Sequence, residues 1–506
     1  MKGTKVFTFA MVPAGALDEA PDLSRSDDST WRAHSAFEKW LALLFLLTLP
    51  LVNPVIHGDG VGYYAWVRSL LIDRDLNFEN EWLAGNRTFT ESRVAPGGRL
   101  TANHYTPTGH VDNQYSVGPS ILWAPFLTVT HLFVVGLDHF GAHVPADGYS
   151  PPYLLTMAVS TVLYGFLGLC FSFRLACSYF AEKWAFLGTV GIWFASALPV
   201  YMYFNPSRSH AHSAFTVALF LWYWNRTRAG RSCGQWAALG LISGLMVNVY
   251  YPNAVLLLVP FLESIAGYLQ SWRAGKGKER LPGRLFFGNL VYLFTAFLAL
   301  LPTLITRRII YGGAFYFVYG PHGRSDFNWG SPVFGRVLFS SDHGLLTWTP
   351  IVLPAVLGLL WLGRRAPQVA LYLAATFLAF WYLIASFSAW QGGASFGNRF
   401  FISLTPLFVL GLAASLSALE SLLRQRRAAL LLAGISIGLL IAWNLAFIFQ
   451  WGTKMIEIRG PIDWSVMARN QLLIPGRLFS AFPAYLTDRG SFMRHLEAKD
   501  LQEVRE

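Results

Sequence analysis

Runs of about 18 or more apolar residues recur from Phe37 to Phe449, and each is long enough to cross a hydrocarbon core of roughly 30 Å as a helix. In hydrocarbon the backbone must satisfy its hydrogen bonds within helices, so the number and direction of spans replace domain count as the first question. Composition agrees, since only 13% of the 506 residues are charged where a soluble domain carries roughly 25%. The net charge of +11 does not point to nucleic acid. Most Lys and Arg residues sit in short connections between apolar runs, where they orient helices.

Spans are expected near residues 38–56, 151–173, 184–202, 212–225, 236–250, 252–270, 285–305, 345–362, 368–387, 400–419 and 428–449. The expected fold class is therefore an all-α polytopic membrane protein of roughly eleven transmembrane helices, with interfacial or re-entrant helices in a long first outer loop. Basic clusters mark the cytoplasmic side: Arg174 and Lys183; Arg226, Arg228 and Arg231; Arg273, Lys276, Lys278, Arg280 and Arg284; Arg364 and Arg365; Arg424, Arg426 and Arg427. The run from Ser120 to Leu137 is also long enough to span, but a crossing there would flip every later basic loop. It is expected to re-enter or to lie along the outer surface, with a true span and a merger of the 236–250 and 252–270 segments as the alternative.

Residues 1–37 read as a polar cytoplasmic tail, residues 38–450 as the transmembrane unit with its first outer loop at 57–150, and residues 451–506 as an outer C-terminal tail. A weak signal-peptide pattern at Lys2, Lys5 and Val6 to Val12 is interrupted by Pro13. Cys170, Cys177 and Cys233 fall in or beside spans, so no outer disulfide framework is expected. The tail from Gln450, with Trp464, Met467 and Leu472, is expected to pack on the outer surface.

Directly after the first span stands His57-Gly58-Asp59-Gly60-Val61-Gly62-Tyr63-Tyr64. The glycines permit a sharp turn and leave the Asp59 carboxylate unobstructed. Tyr63, Trp66, Val67, Leu70 and Leu71 then follow at the spacing of one helical face, which reads as an amphipathic helix in the interface plane. At that height a carboxylate can accept the proton of a hydroxyl as its oxygen attacks an anomeric carbon. The plainer reading of Asp59 is a turn residue or helix N-cap.

The order of a span, GDG with two tyrosines, a surface helix, the stretch NQYSVGPSILWAPF (Asn113 to Phe126) and many further spans resembles the C-type glycosyltransferases. Nearest are bacterial relatives of protein O-mannosyltransferases and the aminoarabinose transferases of lipid A. The resemblance implies an inner-membrane enzyme with a cytoplasmic N-terminus and an outer C-terminus. It would transfer a sugar from a polyprenyl-phosphate donor to a lipid, glycan or protein hydroxyl, with Asp59 as the base. Members commonly place a basic residue before the Tyr and Gly-Pro of the second stretch, facing the lipid phosphate, and this chain has Gln114 there.

Phosphate contact must then come from Gln114 as a weaker donor or from Arg208, His210, His212, Arg307, Arg336, His343 or Arg399 on the outer side. For each of these, surface anchoring or capping is the competing reading. No cofactor is expected, and a divalent metal on Asp59, His210 and His212 is the alternative. The rival class is a lipid-linked glycan transporter or polymerase component. Repeat symmetry and several charges within spans would favour it, whereas Glu263 is the one clear intramembrane charge.

Overall fold

The computed structural model describes residues 36–273, 280–316 and 327–505; the expected tail before Ala36 and the pair Lys276 and Lys278 lie outside them. The helices run in the order α1 (Ala36–Thr48), α2 (Gly60–Arg68), α3 (Glu79–Leu83), α4 (Arg87–Thr90), α5 (Gly118–His139), α6 (Pro151–Cys177), α7 (Glu182–Phe194), α8 (His210–Thr227), α9 (Cys233–Val249), α10 (Leu258–Arg273), α11 (Arg280–Tyr311), α12 (Phe334–Phe339), α13 (Leu345–Trp348), α14 (Val352–Leu362), α15 (Pro367–Ser386), α16 (Thr405–Leu423), α17 (Arg426–Gly452), α18 (Trp464–Thr487) and α19 (Arg489–Arg505). Beside them the described residues form short 3-10 and π-helical segments, among them Leu49–Leu51, Val200–Phe204 and Arg399–Leu404, and isolated β-bridges. The chain is an all-helical, multi-pass membrane protein.

Seven helical stretches are long and apolar enough to cross a membrane by length and composition: Gly118–His139, Pro151–Cys177, Tyr251–Arg273, Pro282–Tyr311, Pro367–Ser386, Arg399–Leu423 and Arg426–Gly452. Five expected spans are shorter or more polar. The first apolar run, for example, is helical for 13 residues before the backbone tightens at Leu49–Leu51. The segment expected to re-enter or to lie along the outer surface is one helix, α5, with no reversal inside it, and it is long and apolar enough to cross a membrane, as the alternative had it. It pairs antiparallel with the first half of α6, through Trp123 on Thr161 and His131 on Tyr153.

The core is held by close approach of helix backbones rather than by large side chains alone. At the α14–α16 crossing a Cβ on Gly358 would stand 1.8 Å from the carbonyl oxygen of Gly411. Small residues at such crossings raise van der Waals contact where lipid supplies no hydrophobic force between helices. At one end of the bundle, the basic residues expected on the cytoplasmic side find partners. Arg174 pairs with Glu38 at 2.8 Å, Lys183 pairs with Glu420, and Arg231 pairs with Glu263 at 2.7 Å. Glu263, the acid expected within a span, is thus paired with a cation from the α8–α9 connection.

Helix α2 is not amphipathic in its surroundings: every residue from Gly60 to Val67 is buried. Its far side is covered by the outer loop through the ring series Trp66, Phe78, Trp82 and Phe89, and its near side by Tyr115 and Trp123. Tyr64, off the apolar face, packs on Trp123 and Tyr149, which makes that side fit for burial too. The C-terminal tail also does more than coat the surface. Arg489 donates to the carbonyl of Pro50 (2.7 Å), Tyr485 to that of Leu51 (2.8 Å), and the Glu497 carboxylate accepts from the Arg87 backbone (2.9 Å). Of the three tail residues singled out, Met467 is buried, whereas Leu472 is 83% exposed.

Gly358→Ala should lower the thermal unfolding midpoint in detergent, because a backbone oxygen cannot move aside, at a cost of about 1–3 kcal/mol. Gly434→Ala, which meets nothing within 4 Å, should leave the midpoint unchanged or slightly higher.

Candidate active site

Asp59 stands at the N-cap position of α2, yet its side chain makes no cap hydrogen bond. Asp59 thus sits in the turn that opens α2 without capping the helix through its side chain. The turn before it runs through Gly58 at φ 57, whose amide donates to Asn86 Oδ1 at 2.9 Å. A residue with a Cβ would adopt that left-handed conformation at a cost. The carboxylate is therefore turned away from its own helix and toward three other segments.

From the stretch after the outer loop, Tyr115 Oη donates to Asp59 Oδ1 at 3.2 Å. The ring can lie there because residue 62 is glycine: a Cβ would fall 1.9 Å from it. Arg208, ahead of α8, donates to Oδ2 at 3.4 Å, and Arg399, from the turn after Gly392, Gly393 and Gly397, stands 2.7 Å from the same oxygen. That glycine-rich turn is fixed by the Phe396 amide donating to Tyr201 Oη at 3.2 Å. Its three glycines all have positive φ, which lets the chain double back and aim Arg399 inward.

Burial pushes the Asp59 carboxyl up, but the charge and hydrogen bond of Arg399 more than offset this and hold it below its ordinary value. Asp59 is ionised at neutral pH. Its side chain is 30% exposed while Arg208 and Arg399 are only 7% and 12% exposed, so the carboxylate faces open space and the cations line its back. Two guanidiniums against one carboxylate leave an uncompensated positive charge in a mostly buried site, an arrangement completed by an anion.

The other residues singled out by sequence fall in different places. His210 is buried beside the cluster, edge-on to Tyr201 and Tyr250 at 4.8 and 5.7 Å, and its Nδ1 has no hydrogen-bond partner. His212, two positions on along α8, faces away, between Trp123 and Tyr164. The helix thus separates the two histidines, and among the described residues no three His, Cys, Asp or Glu side chains converge as metal ligands. Arg307 donates to the carbonyl of Gln114 at 2.8 Å and to Tyr251 Oη at 3.0 Å, and so braces the backbone just before Tyr115. His343 is buried, paired with Asp342 and stacked on Trp348 behind the glycine-rich turn. Arg336 is exposed on α12, and no described contact brings it to Asp59.

Beside Arg208 opens an apolar cavity of about 620 Å³. Its walls are Tyr203 and Phe204 ahead of α8, the α17 face and the inner faces of α18 and α19; its polar lining includes His57, Arg208, Lys454, Glu497 and Asp500. No family model matches the chain, and no curated sequence does. Solved structures similar to it are ArnT from Cupriavidus metallidurans bound to undecaprenyl phosphate (14% identity over 93% of this chain and 74% of that one, TM-score 0.45) and two structures of the Archaeoglobus fulgidus oligosaccharyltransferase. One is AglB with an inhibitory peptide and a dolichol-phosphate (13%, 90% and 56%, TM-score 0.40); the other is the apo form (13%, 92% and 56%, TM-score 0.46). The chain spans just over half the length of the archaeal enzyme.

Tyr115 and Lys454 escaped the sequence reading. Tyr115 lay inside the quoted stretch, but a tyrosine carries no charge to draw attention. Lys454, in the tail, resembles any interfacial lysine until the fold encloses it. Carbodiimide couples to protonated carboxyls, so Asp59 should react more readily in Arg399→Ala, which loses the nearest cation while keeping Arg208 and Tyr115, than in the wild type. Mass spectrometry of the peptide carrying residue 59 reads the difference.

Proposed function

We propose that this chain is a membrane glycosyltransferase that moves a sugar from a polyprenyl-phosphate donor to a hydroxyl of a lipid, glycan or protein at the outer face of the cytoplasmic membrane. The N-terminus is then cytoplasmic and the C-terminus outside. The observation that carries the reading is an ionised, partly open Asp59 backed by two buried guanidiniums, one of which, Arg208, also lines an apolar cavity. A carboxylate suits the proton of an attacking hydroxyl, the excess positive charge suits a phosphate, and the cavity suits the chain that carries it.

The acceptor hydroxyl donates to Asp59, whose two oxygens offer about four acceptor positions. Tyr115, Arg208 and Arg399 occupy three of them. As the acceptor oxygen bonds to the anomeric carbon from the face opposite the phosphate, its proton passes to Asp59 and the C–O bond to phosphate breaks, with inversion. The phosphate leaves as an anion and takes no proton from the protein. When the donor phosphate draws the guanidiniums toward itself, it weakens the charge that holds the carboxyl low, and Asp59 becomes the stronger base when it is needed.

The test is transfer of radiolabelled sugar from a panel of polyprenyl-phosphate sugars by purified protein. Asp59→Asn, which keeps the shape and removes the base, should lower the transfer rate by about 10²–10⁴-fold with the thermal midpoint unchanged. Equal transfer by wild type and Asp59→Asn would take Asp59 out of the mechanism, and lipid binding without any transfer would favour a lipid-linked glycan transporter.

A further inference from the structure

The cavity beside Arg208 is a slot between two helix faces. On one side stand Ala442, Leu445, Ala446 and Phe449 of α17; on the other, Ile474, Leu478, Ala481 and Tyr485 of α18. Both series follow helical spacing, so each is one continuous apolar face. An extended hydrocarbon chain lying along α17 would have its head where that helix ends, and the residue just past the end is Lys454.

Lys454 is in the left-handed region at φ 56, a conformation that a residue with a Cβ adopts at a cost and that here turns its side chain back to the cavity end. Its ammonium is 3.1 Å from Asp500 Oδ1, and Arg459 holds the same oxygen at 2.9 Å. Asp500 Oδ2 lies 3.9 Å from His57 Nε2. Asp500 therefore has cations to spare, and losing Lys454 would leave it paired with Arg459. Arg208 lines the same cavity, and its Nε has no hydrogen-bond partner.

The usual cationic position is neutral in this chain, where Gln114 stands, and Arg307 is spent on the backbone beside it. The two sides of the site also differ. Tyr115 reaches Asp59 from the stretch that Arg307 braces, whereas Arg208 and Lys454 line the apolar slot.

We propose that Lys454 and Arg208 together hold the phosphate of an isoprenoid lipid whose chain fills the slot, and that Asp500 keeps Lys454 in place until the phosphate takes it over. This rests on the reading of a polyprenyl-phosphate donor and names the residue, outside the first loop, that selects it. The exchange is between ion pairs: the ammonium leaves one carboxylate for one phosphate oxygen, and Asp500 keeps Arg459. The slot is built by the tail, so the tail helices are part of the lipid site.

Binding of sugar-free undecaprenyl phosphate to the purified full chain, followed by native mass spectrometry, tests this directly. Lys454→Ala should weaken binding by about tenfold or more, the loss of one charged hydrogen bond, while Lys454→Arg stays close to wild type. Asp500→Asn should bind at least as tightly as wild type, a result that a purely structural latch would not give. Ala446→Trp, which fills the slot, should weaken binding while inorganic phosphate binds no form measurably. Undiminished binding by Lys454→Ala would overturn the assignment, as would dioleoyl phosphatidic acid binding as tightly as the isoprenoid. If Lys454→Ala also transfers sugar with unchanged KM, the clamp falls and the transferase stands. If wild type binds undecaprenyl phosphate through Lys454 but transfers nothing, the clamp stands and the transferase falls.

Discussion

The rest of the site depends on keeping one carboxylate charged in an enclosed, largely apolar place. Desolvation pushes the Asp59 carboxyl toward its protonated form, and a protonated carboxyl accepts no proton from an incoming hydroxyl. Arg399 prevents this, and Arg399 can do so only because a turn of three left-handed glycines returns the chain toward Asp59 after α15. The same cations answer two needs, holding the base ionised in the resting site and offering positive charge to a departing phosphate.

Each partner of Asp59 comes from a different part of the chain: Tyr115 after the outer loop, Arg208 before α8, Arg399 before α16. Rigid helices fix these short segments, and the chemistry sits in the connections between them. Close packing makes the geometry exact at the two glycines where it matters. Gly62 lets the Tyr115 ring lie on α2, and Gly358 lets α14 touch α16 beneath the turn that carries Arg399.

Much of the fold was legible because long apolar runs have one solution in lipid. What the runs could not reveal was where helices tighten or stop: the Leu49–Leu51 turn and the brief α14 come from proline and packing rather than from hydropathy. Asp59 was legible from its glycine neighbours, and Arg208 and Arg399 as cations on its side of the membrane. Arg307, His343 and Arg336 carried the same local signal and went elsewhere, since sequence does not say which way a side chain points. The surface helix misled for a related reason. Tyr and Trp suit an interface and a protein interior equally well, and the outer loop supplied the interior. Lys454 and Asp500 were invisible because their meaning lies in a cavity formed by helices far apart in the chain.

The fastening of α18 and α19 onto the stretch from Pro50 to Arg87 also bears on biogenesis. Residues on the early side of that contact leave the ribosome and enter the bilayer long before Tyr485 or Glu497 exists. Throughout that interval the slot lacks the wall that α18 and α19 supply. The nascent chain therefore holds a half-built charged site, which is completed only when those two helices dock on the stretch from Pro50 to Arg87.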